Sequence, residues 1–81
     1  MKWYNKDKRK MLDIDSVDGY VFIPAKEYIE QNPTEPDVND YKEYGDRIEL
    51  ILSGTPYIFR GSDANEIYNL LIGNTKELLR G

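Results

Sequence analysis

The chain contains no cysteine and no histidine. Without thiols it can build neither a disulfide framework nor a thiolate zinc site. Without imidazole it lacks the usual general base and the commonest transition-metal ligand. Ser16, Ser53 and Ser62 therefore have no histidine to activate them, and no lysine has an evident activating neighbour. These absences point to a non-enzymatic protein with no cofactor and no bound metal. Long apolar runs are missing too, with nothing near the roughly 18 residues of a membrane span. The charged N-terminus is not followed by the apolar core of a secretory signal. The expected location is the cytoplasm, with no membrane partner, and the lack of cysteine suits that compartment.

What remains is 81 residues, one small domain over 1–81. A chain of this size buries only roughly 60 to 65 per cent of its unfolded surface, so its core is thin. Small domains without covalent staples are often completed by association, and a homo-oligomer is expected. Charge is unevenly placed. Residues 1–10 hold Lys2, Lys6, Lys8, Arg9 and Lys10 against Asp7, so this arm is +4 and the remainder −8 within a net −4. An acidic body repels bulk nucleic acid and leaves only the arm to bind it.

Residues 47–73 are the best-patterned stretch. Ile48, Leu50 and Leu52 alternate with Glu49, Ile51 and Ser53, the period of a strand. Gly54-Thr55 fits a two-residue type II′ turn, which would set Leu52 opposite Tyr57, Leu50 opposite Phe59, Ile51 opposite Ile58 and Glu49 opposite Arg60. After it, Asp63 with Glu66 three residues on reads as a helix start, with Ser62 as the alternative cap. Ala64, Ile67, Tyr68 and Leu71 then recur at helical spacing, with Leu70 widening the stripe. Gly73-Asn74 reads as the stop, and Thr75 to Leu79 as a further turn docking Leu78 and Leu79.

Upstream, Asp18-Gly19 is a strong hairpin signal, predicting a first hairpin over 10–24. Leu12, Ile14, Val21 and Ile23 would then share a core face. Asp13, Asp15, Val17, Tyr20 and Phe22 would lie on the other. Residues 24–31 fit either one helical turn or a short edge strand presenting Ile29. The fold class that follows is α+β, a small antiparallel sheet of two β-hairpins with one C-terminal helix packed on one face. A single helix covers a single face, so Val17, Tyr20, Phe22, Ile51 and Ile58 are the expected oligomer interface.

Two segments are candidates for binding. The arm combines Trp3 and Tyr4 with Lys6, Lys8, Arg9 and Lys10, rings to stack and cations for phosphate; the alternative is a solvated terminus folded back on the domain. Residues 31–46 are an acidic loop with two prolines and five acidic residues. Loops of this length are usually functional or disordered. Tyr41 and Tyr44, flanked by Asp40 and Glu43, offer contact area at low entropy cost and form the expected partner-binding epitope.

Calcium is not expected. From Asp13 the fifth and sixth positions of an EF-hand loop are Val17 and Asp18, and from Asp37 they are Tyr41 and Lys42, so both fail. Asp13 and Asp15 would sit roughly 7 Å apart on a solvated strand face. A phosphate at the Gly61-Ser62-Asp63 helix start would meet Asp63 and Glu66, which repel it.

Asp18-Gly19, Ile23-Pro24, Ile29-Glu30, Gly54, Tyr57-Ile58-Phe59 and Ser62 with Glu66-Ile67 fall in an order that resembles small bacterial and phage proteins of the flagellar FlbD type. More distantly the order is similar to the strand pattern of LytTR-type DNA-binding domains. The resemblance spans about residues 12–72, is interrupted by 31–46, and includes no binding or catalytic position. It implies a small accessory protein rather than an enzyme. The leading expectation is a regulator or inhibitor acting on another protein, and the second a nucleic-acid-associated protein using the arm. A third is an oligomeric sponge for a small charged ligand, for which no residue speaks directly.

Overall fold

Lys2-Trp3-Tyr4 puts one large apolar side chain between two polar-tipped ones, and the segment pairs as a strand. In the computed structural model, which describes residues 1–80 and their side chains through residue 73, β1 (Lys2–Tyr4) runs antiparallel to β2 (Met11–Asp13). Trp3 lies opposite Leu12, and both are buried. The first hairpin thus closes through residues 5–10, not at Asp18-Gly19. Asp13 ends β2, because its carboxylate accepts the Asp15 N–H and the Ser16 hydroxyl, each at 3.1 Å, and holds one 3₁₀ turn at Ile14–Ser16. Such local side-chain bonds compete with strand pairing, and here they displace the expected hairpin.

β3 (Val17–Ile23) instead runs through Asp18-Gly19 and pairs antiparallel with β4 (Arg47–Leu52). The register shifts between Val17 and Gly19, leaving Asp18 as a bulge whose carboxylate accepts the Ser53 N–H at 2.9 Å. The one extra residue lets Val17 and Tyr20 share a face. Val17, Tyr20 and Phe22 sit opposite Leu52, Leu50 and Ile48 on the inner face.

β5 (Thr55–Arg60) completes the order β3-β4-β5. The turn is Ser53-Gly54, with φ of 50° and 82°, so Leu52 faces Thr55 and Leu50 faces Tyr57. The expected Gly54-Thr55 turn would have made Pro56 half of the closing hydrogen-bonded pair, and proline has no N–H to give. In the observed register Pro56 directs its missing donor to the free edge, where it costs no ladder bond. The slip is two residues, so the face assignments within this hairpin survive, while Glu49 lies opposite Ile58 and not Arg60.

The connection between β3 and β4 is helical. α1 (Ala25–Gln31) and α2 (Val38–Tyr44) pack on each other, so the expected loop is ordered and buries Val38 and Tyr41. α3 (Ser62–Arg80) starts with the Asn65 N–H bonded to the Gly61 carbonyl, so neither Ser62 nor Asp63 is its cap. Gly73 continues the helix instead of stopping it. The side chains of Leu78 and Leu79 lie outside the described residues.

The α+β class holds, with α3 laid on the inner face. Trp3, Leu12, Ile14, Ile48, Leu50, Ala64, Ile67 and Leu71 form the buried core. Tyr68 extends it by stacking on Phe22, ring centroids 4.0 Å apart and planes within 2°.

Candidate functional site

The acidic segment divides its two tyrosines. Tyr41 is only 3 % exposed, stacked on Tyr28 at 4.0 Å with the Arg47 guanidinium 4.7 Å over its ring. It is a core residue of the α1–α2 pair and offers no ring to a partner. Burial pushes the Tyr41 hydroxyl above its ordinary value, against the opposing pull of Arg47. Tyr44 stays half-exposed, with Arg60 5.8 Å from its ring centre. Asp40 is 3.8 Å from Arg47 Nη2, while Glu43 is exposed. Arg47 Nε, buried in this stack, has no hydrogen-bond partner.

The arm is likewise not a free arm. Trp3 is 4 % exposed, meets Phe59 edge-on at 5.6 Å and donates its indole N–H to Glu66 at 3.2 Å. Glu66 therefore serves this bond rather than a capping box. Tyr4 faces outward beside Met11, and Lys6, Lys8, Arg9 and Lys10 occupy the exposed tip of the ribbon. Lys10 leans toward the Phe59 ring, 6.0 Å from its centre.

The expected oligomer interface splits between the two faces of the sheet. Val17, Tyr20 and Phe22 belong to the inner face, Tyr20 meeting Tyr68 edge-on at 6.2 Å. Ile51 and Ile58 remain on the outer face, and Val21 joins them there. Val21, Ile51 and Ile58 are 59 %, 39 % and 48 % exposed. Across the strands they fall in two rows, Val21–Glu49–Ile58 and Gly19–Ile51–Pro56. A third row, Ile23–Arg47–Arg60, meets the helical connection, since Arg47 lies under Tyr41. α1 and α2 thus cover one end of the outer face and leave the turn end bare. Gly19 is a gap in that surface, because a Cβ built there meets nothing within 4 Å.

Among the described residues no group of three or more acidic side chains is placed to hold a metal ion. No helix among them is long and apolar enough to cross a membrane. No family model, curated protein or solved structure matches the chain.

Sequence reasoning missed Val21 as a surface residue because strand alternation keeps Ile14 and Val21 on one face; the 3₁₀ turn at Ile14–Ser16 breaks that alternation, so Val17, Tyr20 and Phe22 face inward and Val21 outward. It also missed Asp46. That carboxylate accepts the Ala25 N–H at 2.7 Å and the Asn65 side-chain amide at 2.8 Å, joining the starts of α1 and α3. The Pro56 argument was available from the sequence; the Asp46 junction, which depends on long-range closure, was not.

Proposed function

We propose that this is a small non-enzymatic accessory protein, of a bacterial or phage kind, that acts by binding another protein. The contact surface is the turn end of the outer sheet face. The observation that supports this reading is the exposure of Val21, Ile51 and Ile58 on two adjacent rows of the outer face, with Ile51 diagonal to the other two. Clustered apolar exposure rimmed by polar groups marks interaction sites more often than scattered exposure does. Asp18 and Arg60 lie at its edges, and Glu49 stands within it between Val21 and Ile58.

The surface is also self-complementary, so a second copy of the chain is its first occupant. A two-fold axis lying across the strands between the two rows sets Val21 of one copy over the gap at Gly19 of the other. The same operation sets Ile58 over Pro56 and Glu49 against Ile51, which keeps like charges apart but desolvates both carboxylates at a cost. The patch is far smaller than the roughly 20 to 30 residues a side of a standard interface, so the self-contact is weak and exchangeable. A regulator that trades self-contact for a client fits such a surface.

The test is sedimentation equilibrium of the full chain and its Val21→Glu variant up to the high micromolar range. Concentration-dependent association in the wild type, abolished by Val21→Glu with the fold intact, supports the reading. A wild type that stays monomeric throughout, or a variant that associates equally well, contradicts it.

A further inference from the structure

We propose that the tip of the β1–β2 ribbon is a second and separate binding site, one that contacts the phosphate backbone of duplex nucleic acid. Four cations, Lys6, Lys8, Arg9 and Lys10, crowd residues 5–10, and all four are exposed. Lys6 and Lys8 have no ion-pair partner among the described residues. Arg9 has only Asp7, at 3.7 Å, and that pair is open to water. Exposed pairs of this kind hold weakly, so a phosphate displaces Asp7 at small cost.

The tip is built. The Asn5 N–H bonds the Lys10 carbonyl at 3.1 Å, and the Lys8 N–H bonds the Asn5 carbonyl at 2.9 Å. The Asn5 side chain accepts the Lys10 N–H at 2.8 Å. At the base of the ribbon, Trp3 is locked between Phe59 and Glu66. The cations are therefore presented without the ordering cost that a disordered basic tail meets on binding.

The same anchoring selects the ligand. A single-stranded partner is recognised by several rings that stack on successive unpaired bases; of the ribbon's two rings Trp3 is buried and Tyr4 alone is exposed, too few for such a platform. A duplex keeps its bases stacked and asks chiefly for cations. A two-stranded ribbon, with strands about 4.8 Å apart, fits a major groove about 12 Å wide. A membrane surface is disfavoured because residues 5–10 contain no apolar side chain to enter it, and the exposed Tyr4 and Met11 stand behind the tip on the paired strands. The acidic remainder of the chain holds the footprint to the tip, so the number of neutralised phosphates is about three.

The full chain is titrated against a fluorescently labelled duplex of about 20 base pairs at salt concentrations from about 50 to about 200 mM. Binding is expected at the lowest salt with a dissociation constant of about 10⁻⁴ to 10⁻⁶ M, and log K should fall against log salt with a slope of about −3. Replacing Lys6, Lys8 and Arg9 together by glutamine should weaken binding at least about tenfold and flatten the slope to near zero, with an unchanged circular dichroism spectrum. Three outcomes overturn the proposal: no duplex binding at the lowest salt, equal binding by the triple variant, or binding to phosphatidylserine vesicles but not to the duplex. The outer-face variant Val21→Glu should bind the duplex as the wild type does, and its failure to do so would tie this site to the protein-binding face.

Discussion

Single side chains decide where this chain departs from its own sequence pattern. Trp3 is the clearest, since a residue two places from the N-terminus supplies a wall of the core and a hydrogen bond to α3. Trp3→Ala should cost about 3 to 5 kcal/mol, the range for large aromatic truncations in a core, read as a fall in the urea midpoint. A change below about 1 kcal/mol would mean that the ribbon is not part of the cooperative fold. Ser53 presents the opposite case. It holds a φ of 50° in a turn that favours Asn-Gly. Ser53→Asn should therefore raise stability by a few tenths to about 1 kcal/mol, and a lowered urea midpoint would contradict the turn assignment.

Tyr41 gives the molecule a dependence on alkaline pH. Its hydroxyl is raised above the ordinary 10.0 because burial penalises the phenolate. The unfolded chain, titrating at the ordinary value, therefore loses this proton before the folded one does. The stabilisation is full below about pH 10 and fades as pH climbs through the folded value. Tyr41→Phe should remove from the ultraviolet titration one tyrosine that ionises above 10.0. A difference titration centred at or below 10.0 would place Tyr41 in water.

Among the elements, the junction of α1, β4 and α3 carries more than its size suggests. Asp46 accepts the first N–H of α1 and the side chain of Asn65, while its own carbonyl accepts the Gly61 N–H at 2.8 Å. Asp46→Ala should cost about 1 to 2 kcal/mol, as loss of a helix-capping carboxylate does. Gly61 cannot be replaced cheaply either, since its φ is +68° and a Cβ would stand 3.0 Å from the Tyr44 carbonyl. Gly61→Ala should destabilise by about 1 to 3 kcal/mol, and an unchanged melting profile would remove the close approach from the account.

The sequence announced β4, β5 and the first part of α3 through clean periodicity, because these elements face one core on one side. It was silent about α2, whose apolar positions are only Val38 and the two tyrosines, and whose burial depends on Tyr41 being stacked between Tyr28 of α1 and Arg47 of β4. It misled at Asp18-Gly19, where a turn-forming pair was spent on a bulge. Local propensity there was overruled by the pairing of β3 with β4. The candidate surface was misassigned at the 3₁₀ turn at Ile14–Ser16 instead, and Ile51 and Ile58 were recovered only because they lie on the well-patterned hairpin.

Taken whole, the molecule has two unlike surfaces, a basic ribbon tip and a bare apolar sheet end, on a body that is otherwise acidic. α3 and the ribbon close the inner face, and α1 with α2 cover one end of the outer one, so its turn end stays bare. That surface is the central claim, and a dilution series of methyl-resolved NMR spectra addresses it most directly. The methyl groups of Val21, Ile51 and Ile58 should shift together as concentration rises into the high micromolar range. Those of Leu12, Ile14 and Ile67, sealed in the core, should stay still. Concentration-independent spectra, or shifts confined to residues away from the outer face, would contradict the account.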